Sequence, residues 1–202
     1  MIRTTTYTAL IAAALATGAA TSIATAQDPA PPPGTYQARE VNQQDRIANG
    51  VQSGQLTAGE TKSLEGQEAG LNAQARADRA ADDGKLTAAD RSQLNGEQNH
   101  LSNEIYADKH NDVTAHYGAG EVGQRRLNQQ NRIANGIRSG SLTPGEASHL
   151  EGREQRINQT IRADRGANGG KLTGAEKGQI NHAQNKTSRA IYRDKHNGKV
   201  NK

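Results

Sequence analysis

The chain of 202 residues contains no cysteine, phenylalanine or tryptophan, and its single methionine is Met1. These absences exclude disulfide scaffolds, thiol catalysis and cysteine-ligated metal sites. Lysine and arginine number 25 against 21 aspartate and glutamate residues, which gives a formal net charge of +4. After Ala26, valine, leucine and isoleucine make up 23 of 176 residues, a level at which disorder competes with a packed domain.

The first segment has the pattern of a signal peptide. Arg3 precedes an apolar run over residues 9–20, and Ala24-Thr25-Ala26 fits the small-x-small pattern at which signal peptidase cleaves. We therefore expect a signal peptide over residues 1–26 and a periplasmic or secreted product. The apolar run is shorter than the ~20 residues that a bilayer requires, so we expect no transmembrane anchor. Residues 27–37 hold four of the five prolines and predict an extended tether.

Beyond the tether the chain repeats itself. Residues 42–112 align with residues 128–198 at a constant offset of 86, with 40 identities in 71 positions. Within each copy a second period of 30 brings back the phrase Gly-x-Leu-Thr-x-x-acid, which begins at Gly54, Gly84, Gly140 and Gly170. This pattern predicts a tandem duplication built from four units of about 30 residues, each stacked on its neighbours because one unit cannot bury its own apolar face.

The recurring phrase predicts the end of one helix and the start of the next. Its glycine can take the positive φ that closes a helix. Its threonine is followed three residues later by an acid, which is the pattern of a capping box at a helix N-terminus. The four pairs are Thr57 with Glu60, Thr87 with Asp90, Thr143 with Glu146, and Thr173 with Glu176.

Behind each cap, apolar residues spaced by seven and eleven positions lie on one stripe of a helix. They are Leu64, Leu71, Ala75, Leu94, Leu101, Ile105, Leu150, Ile157, Ile161, Ile180 and Ile191, with Thr187 in the fourth unit. Nothing alternates with period two, so we expect an all-α fold in which each copy is one short helix followed by two long ones. The predicted helices span residues 39–53, 58–82, 88–111, 122–139, 144–168 and 174–197.

The two copies differ in charge. Residues 37–118 hold 8 lysine and arginine against 13 acidic residues, whereas residues 119–202 hold 16 against 7. We therefore expect an acidic helical lobe over 38–112, a linker over 113–122 and a basic lobe over 123–202. Opposite charges favour association between lobes or copies, including a homo-oligomer, or binding of the basic lobe to other proteins or anionic polymers.

Specific nucleic-acid binding is not expected. The chain after the signal peptide has only four aromatic residues, and they are too dispersed to form a platform on which bases could stack. These residues are Tyr36, Tyr106, Tyr117 and Tyr192.

Calcium binding is an alternative to the capping interpretation, and otherwise no cofactor is expected. With Gly84 as the sixth residue of an EF-hand loop, Asp83 takes position five and Asp90 position twelve, but Arg79 occupies position one, where calcium requires a carboxylate. The capping box explains the same residues without a metal. The candidate metal ligands are Asp78, Asp82, Asp83 and Asp90.

Catalytic motifs are absent from the sequence. There is no Gly-x-Ser-x-Gly, no His-Glu-x-x-His and no glycine-rich phosphate loop ending in Lys-Ser/Thr. A literal Gly-x-Gly-x-x-Gly over residues 118–123 falls in the linker and lacks the βαβ unit that a dinucleotide site needs. We expect a protein that is not an enzyme.

Residues 132–136, 139–146, 170–173 and 191–197 resemble a group of exported bacterial helical-repeat proteins without an assigned function. More loosely, the Leu-Thr-x-x-Glu phrases are similar to the Leu-Thr-x-x-Gln motif of periplasmic stress proteins of the Spy/CpxP type. That resemblance implies an exported, all-helical protein that binds unfolded or stressed partners. Here an acid replaces the glutamine, and the chain after the signal peptide has no methionine.

Three functions follow as expectations. The first is a non-enzymatic binding or structural protein of the bacterial cell envelope with a stress-related, holdase-like role. The second is a calcium-responsive module with EF-hand-like loops, and the third is a binder of anionic polymers that acts through the basic lobe.

Overall fold

The computed structural model describes residues 34–118 and 120–201, which form six α-helices without a β-strand among them. The helices are α1 (Tyr36–Ser53), α2 (Ala58–Ala81), α3 (Ala88–Lys109), α4 (Gly120–Arg138), α5 (Pro144–Ala167) and α6 (Gly174–Lys195). The all-helical prediction is confirmed. We call residues 34–118 the first half and residues 120–201 the second half. The predicted signal peptide and residues 27–33 of the predicted tether lie outside the described residues.

No helix in the described part of the chain combines the length and apolarity needed to cross a bilayer.

All four predicted capping boxes form, and each starts one of the long helices. In the first, the Glu60 carboxylate accepts the Thr57 backbone N–H at 2.8 Å, while the Thr57 hydroxyl oxygen accepts the Glu60 N–H at 3.4 Å. The reciprocal pair satisfies N–H groups that have no partner inside the helix. The starts of α2, α3, α5 and α6 therefore lie where the sequence predicts them.

The end of α1 at Ser53 also matches the prediction, and the remaining helix boundaries differ from it by one to three residues. α1 begins at Tyr36 instead of residue 39, because the Thr35 side chain accepts the Ala38 N–H and caps the helix earlier. α4 begins at Gly120, inside the predicted linker. α3 and α6 end two residues early, since His110 and His196 already have non-helical backbone angles.

Within each half, polar side chains tie the first helix to the third. The Gln43 amide donates to the Gln98 carbonyl at 2.8 Å, and the Arg46 guanidinium donates to the Ser102 carbonyl at 2.8 Å. The same two bonds recur 86 residues later, from Gln129 to Gln184 and from Arg132 to Ser188. The orientation of α1 on α3, and of α4 on α6, therefore depends on side-chain bonds to main-chain carbonyls as well as on apolar contact.

Between the halves, α2 packs against α5 and α1 packs against α4. Gly59 lies opposite Gln155 and Gly145 lies opposite Ala69, so α2 and α5 run antiparallel. Within each half, the segment that follows the last helix bonds back to the loop after the first helix: the Ala115 N–H donates to the Gly54 carbonyl, and the Asn201 N–H donates to the Gly140 carbonyl, both at 2.9 Å.

The apolar stripe predicted from sequence is buried at all twelve positions. The larger cluster of buried apolar residues takes members from both halves, including Leu64 and Leu101 from the first and Leu150 and Ile191 from the second. A smaller cluster belongs to the second half alone: Val122, Ile157, Ile161 and Ile180. The sparse apolar residues therefore suffice because the two halves share one core.

Close packing of the loop between α4 and α5 makes Gly136 intolerant of a side chain. A Cβ atom there would lie 2.6 Å from Leu142 Cδ1, and the Leu142 side chain is fully buried. We expect Gly136→Ala to lower the free energy of unfolding by about 1 to 3 kcal/mol, measured by urea denaturation followed by circular dichroism. The control Gly178→Ala lies in open helix and should raise it by roughly 0.5 to 1 kcal/mol. A change in the free energy of unfolding that has the same sign in both variants would contradict this packing.

Candidate functional site

The structure places the four candidate calcium ligands around the turn between α2 and α3. Asp78 lies in the last turn of α2, Asp82 is its C-terminal cap, and Asp83 has a left-handed backbone with φ of 49°. One carboxylate oxygen of Asp90 accepts both the N–H and the hydroxyl of Thr87, at 2.8 and 2.7 Å. This bonding is that of a helix cap.

Among the described residues, no three His, Asp or Glu side chains are grouped so that they could hold a metal ion. The calcium hypothesis stays an untested prediction.

The second half carries a groove between α5 and α6 that sequence analysis did not single out. The groove encloses about 340 Å³. Its floor includes Ile157, Ile180 and Ala183, and three exposed cationic side chains stand at its rim: Arg153, Arg156 and Lys186. None of these cations has a carboxylate partner within 4.0 Å among the described residues, and no acidic side chain lines the groove. An apolar floor under unpaired cations is suited to an anionic ligand that also has apolar surface.

The matching face of the first half has different chemistry. Gln67, Gly70 and His100 stand where the groove has its three cations, and Glu97 stands where it has Ala183. There the Gln67 amide donates to Glu104 at 2.5 Å and so bridges α2 to α3. The second half has Arg153 and Ala190 at the two bridging positions, so the same bond cannot form.

A second polar feature is a set of buried glutamates on α1, α2 and α5. Among the described residues the buried glutamates are Glu40, Glu65, Glu68, Glu151 and Glu154, each at most 4% exposed. Glutamines of the neighbouring short helices contact two of them: Gln44 donates to Glu65 at 3.2 Å and Gln130 donates to Glu151 at 2.9 Å. Neither Glu68 oxygen has a hydrogen-bond partner among the described residues. We call these five residues the glutamate layer.

Burial raises the pKa of every member of the glutamate layer. The pKa of Glu65 lies well above its usual range because of burial, and the charges of Glu68, Glu151 and Glu40 raise it further against the Gln44 hydrogen bond. Burial raises the pKa of Glu68 to about 8 and that of Glu151 to about 8. Burial also raises the pKa of Glu154, to about 7, although the Arg126 charge lowers it. The carboxyl groups of Glu68, Glu151 and Glu154 are therefore protonated in the folded protein at mildly acidic pH.

Neither the groove nor the glutamate layer was predicted from the sequence, although the sequence contains a pattern that indicates the glutamate layer. Glu65, Glu68 and Asn72 recur unchanged 86 residues later, whereas the intervening Gln67 and Gly70 do not. On this helix several exposed positions vary between the two copies. A polar residue that is identical in both copies therefore favours a buried polar side chain. The groove had no such signal, because it arises where the copies differ.

Comparison of the chain with protein-family models, with curated proteins and with solved structures gives no match in any of the three.

The glutamate layer predicts that stability falls as pH rises from about 5 to about 8. Carboxyl groups whose pKa is higher in the folded than in the unfolded chain stabilise the fold below the unfolded value of about 4.3, and this contribution is lost as pH rises through the folded value. The capping acids Asp90, Glu146 and Glu176 have lowered pKa values and act in the opposite sense at more acidic pH. We expect the urea midpoint to be higher at pH 5.5 than at pH 8.

The control for that experiment is a matched set of glutamine variants. Glu65→Gln and Glu151→Gln should flatten the dependence on pH, because glutamine keeps the size of glutamate and does not ionise. Glu121→Gln, whose side chain is 71% exposed, should keep the wild-type dependence. A urea midpoint that rises between pH 5.5 and pH 8 would contradict the account.

Proposed function

We propose that the protein is a non-catalytic binding protein whose second half captures anionic polymers in the groove between α5 and α6. The observation that carries the proposal is the set of three unpaired cations around an apolar floor. Exposed cations attract a polyanion over about a Debye length, roughly 8 to 10 Å at physiological salt. The apolar floor then contacts the carbon skeleton of the polymer, so that binding is more than charge neutralisation.

The difference in charge between the halves supports the binding of polyanions by the second half. The second half belongs to the stretch with 16 basic against 7 acidic residues, and two of those acids, Glu151 and Glu154, are buried with raised pKa values. Its surface is therefore more positive than the formal count. The first half lies in the acidic stretch; Glu40, Glu65 and Glu68 are buried there with raised pKa values, so its surface is less negative than the formal count but still attracts a polyanion less than the second half does.

A tandem duplication followed by divergence accounts for this asymmetry. We propose that each half is a copy of one three-helix unit made of two helix-loop-helix repeats. Support comes from the 40 identities at an offset of 86 and from hydrogen bonds that recur at the same offset. Export to the cell envelope, which the sequence of residues 1–26 predicts, would bring the groove to envelope polysaccharides.

The holdase-like role and the homo-oligomer stay predictions. The large apolar side chains that are exposed in the described part of the chain are separated in sequence, at Val41, Tyr106, Val113, Tyr192 and Val200. No specific observation favours a client-binding surface over the groove.

The experiment measures binding of the purified protein to fluorescein-labelled heparin by fluorescence anisotropy across a salt series. The variant reverses the three groove charges together, as Arg153→Glu, Arg156→Glu and Lys186→Glu. We expect at least a tenfold loss of affinity at about 0.1 M salt and a shallower dependence of affinity on salt, because fewer counterions are released.

A charge-matched control separates the groove from net charge. Lys171→Glu, Lys177→Glu and Arg193→Glu reverse three exposed cations of the second half that do not line the groove. This control should lose much less affinity than the groove variant. An equal loss in the two triple variants, or wild-type binding that does not weaken with salt, would overturn the proposal.

A further inference from the structure

A second cavity, separate from the groove, lies between α4, α5, the start of α2 and the segment 113–117. It encloses about 290 Å³. Three arginines line it, namely Arg126 from α4 and Arg162 and Arg165 from α5. No carboxylate lines this cavity, and none lies within 4.0 Å of the three guanidinium groups among the described residues.

Arg126 is the buried arginine of this cavity, and contacts with neighbouring residues hold its guanidinium group in place. Arg126 is 6% exposed, and it is the only buried lysine or arginine among the described residues. One terminal nitrogen donates to the His116 and Tyr117 carbonyls at 3.2 Å each, and the Tyr117 ring lies 5.3 Å from the guanidinium carbon. Its Nε has no hydrogen-bond acceptor. A buried donor without an acceptor is costly, so the arrangement favours a ligand that supplies one.

The charges around Arg126 also favour an anion. Burial lowers the pKa of Arg126, Arg165 and Arg162 lower it further, and the nearby Glu154 raises it. Arginine stays charged at any physiological pH, so three positive charges converge. Glu154 makes no ion pair with Arg126, and its own pKa is raised to about 7. Glu154 supplies at most one negative charge against three positive ones, so a dianion bound here would relieve the remaining repulsion.

The same cavity contains acceptors that lack donors. Gln130 and Asn158 line it, and the buried amide oxygen of each has no hydrogen-bond donor among the described residues. The Tyr117 hydroxyl, which also lies at the cavity, has no partner either. Hydroxyl groups on a ligand would donate to these oxygens. The volume is several times that of one phosphate group, so there is room for a hydroxylated body.

The matching positions of the first half show a corresponding cavity in which hydrogen-bonding groups are paired by protein side chains. A cavity of about 280 Å³ lies at the matching positions of α1 and α2, where it also meets the start of α5 and the end of the described chain, with Arg76 and Arg79 in place of Arg162 and Arg165. Glu40 stands where the second half has Arg126, and Asn72 donates to it at 2.6 Å. The Tyr36 hydroxyl in turn donates to the Asn72 amide oxygen at 2.8 Å. In the cavity of the first half a lining carboxylate and a lining hydroxyl are thus bonded to the same asparagine, whereas no carboxylate lines the cavity of the second half and its Tyr117 hydroxyl and Asn158 amide oxygen have no partner among the described residues.

We propose that the cavity at Arg126, Arg162 and Arg165 binds a small hydroxylated phosphomonoester of the sugar phosphate class. The arginines take the dianionic phosphoryl group, because guanidinium groups match its oxygens in pairs. Gln130, Asn158 and Tyr117 take the hydroxyl groups. This site does not depend on the proposed binding of polymers in the groove between α5 and α6.

Isothermal titration of the purified protein with glucose 6-phosphate, inorganic phosphate and glucose tests the proposal. We expect one glucose 6-phosphate per chain, weaker binding of inorganic phosphate and no binding of glucose. Absence of glucose 6-phosphate binding would overturn the proposal. Inorganic phosphate binding as tightly as glucose 6-phosphate would overturn the assignment of the hydroxyl groups.

Matched variants locate the site. Arg162→Gln changes an exposed side chain and should fold normally while weakening glucose 6-phosphate about tenfold, and Arg126→Gln should weaken it more. Arg76→Gln, the matching change in the first half, should leave the affinity unchanged, as should the triple variant of the groove. Equal losses for Arg76→Gln and Arg162→Gln, or wild-type affinity in Arg162→Gln, would contradict the placement. Circular dichroism of each variant checks that it is folded.

Discussion

The packing of α2 against α5 is the contact on which the rest of the structure depends. Valine, leucine and isoleucine are too few for two separate cores, and the larger buried cluster draws on both halves. The antiparallel contact places Glu65 near Glu151 in the interior, where the charge of Glu151 raises the pKa of Glu65. Packing the halves together thus supplies the apolar contact that each half lacks. It also buries glutamates, whose burial destabilises the fold when they are ionised.

Both proposed binding sites lie where the halves differ. The framework is nearly the same at both copies: caps, interhelical glutamines and the paired arginines of α2 and α5 all recur. Single replacements on that framework change the chemistry of whole cavities. Arg126 in place of Glu40 turns a self-neutralised cavity into one with three cations, and Arg153 in place of Gln67 helps to open a basic groove. One fold therefore presents two versions of the same surface that differ in charge and in hydrogen-bond satisfaction.

Local chemistry made much of the fold predictable from sequence. Capping boxes act within four residues, so Thr57 and Thr143 located their helices, and the apolar stripe located the buried faces. The glutamate layer was not predicted, since hydropathy places Glu65 on the surface and only the partner helix decides otherwise. The cavity at Arg126 was not predicted either. It joins α4 and α5 to residues 113–117, whose position depends on a main-chain bond to Gly54 that no local pattern encodes.

Native-state hydrogen exchange of Leu94→Ala measures most directly whether the halves form one folding unit. Leu94 is buried on α3, which packs only on α1 and α2 among the described helices. Removing its side chain should cost about 2 to 5 kcal/mol. If the core is shared, the slowest amides of α5 and α6 lose as much protection as those of α2. Loss of protection confined to α1, α2 and α3, with α5 and α6 unchanged, would contradict the account.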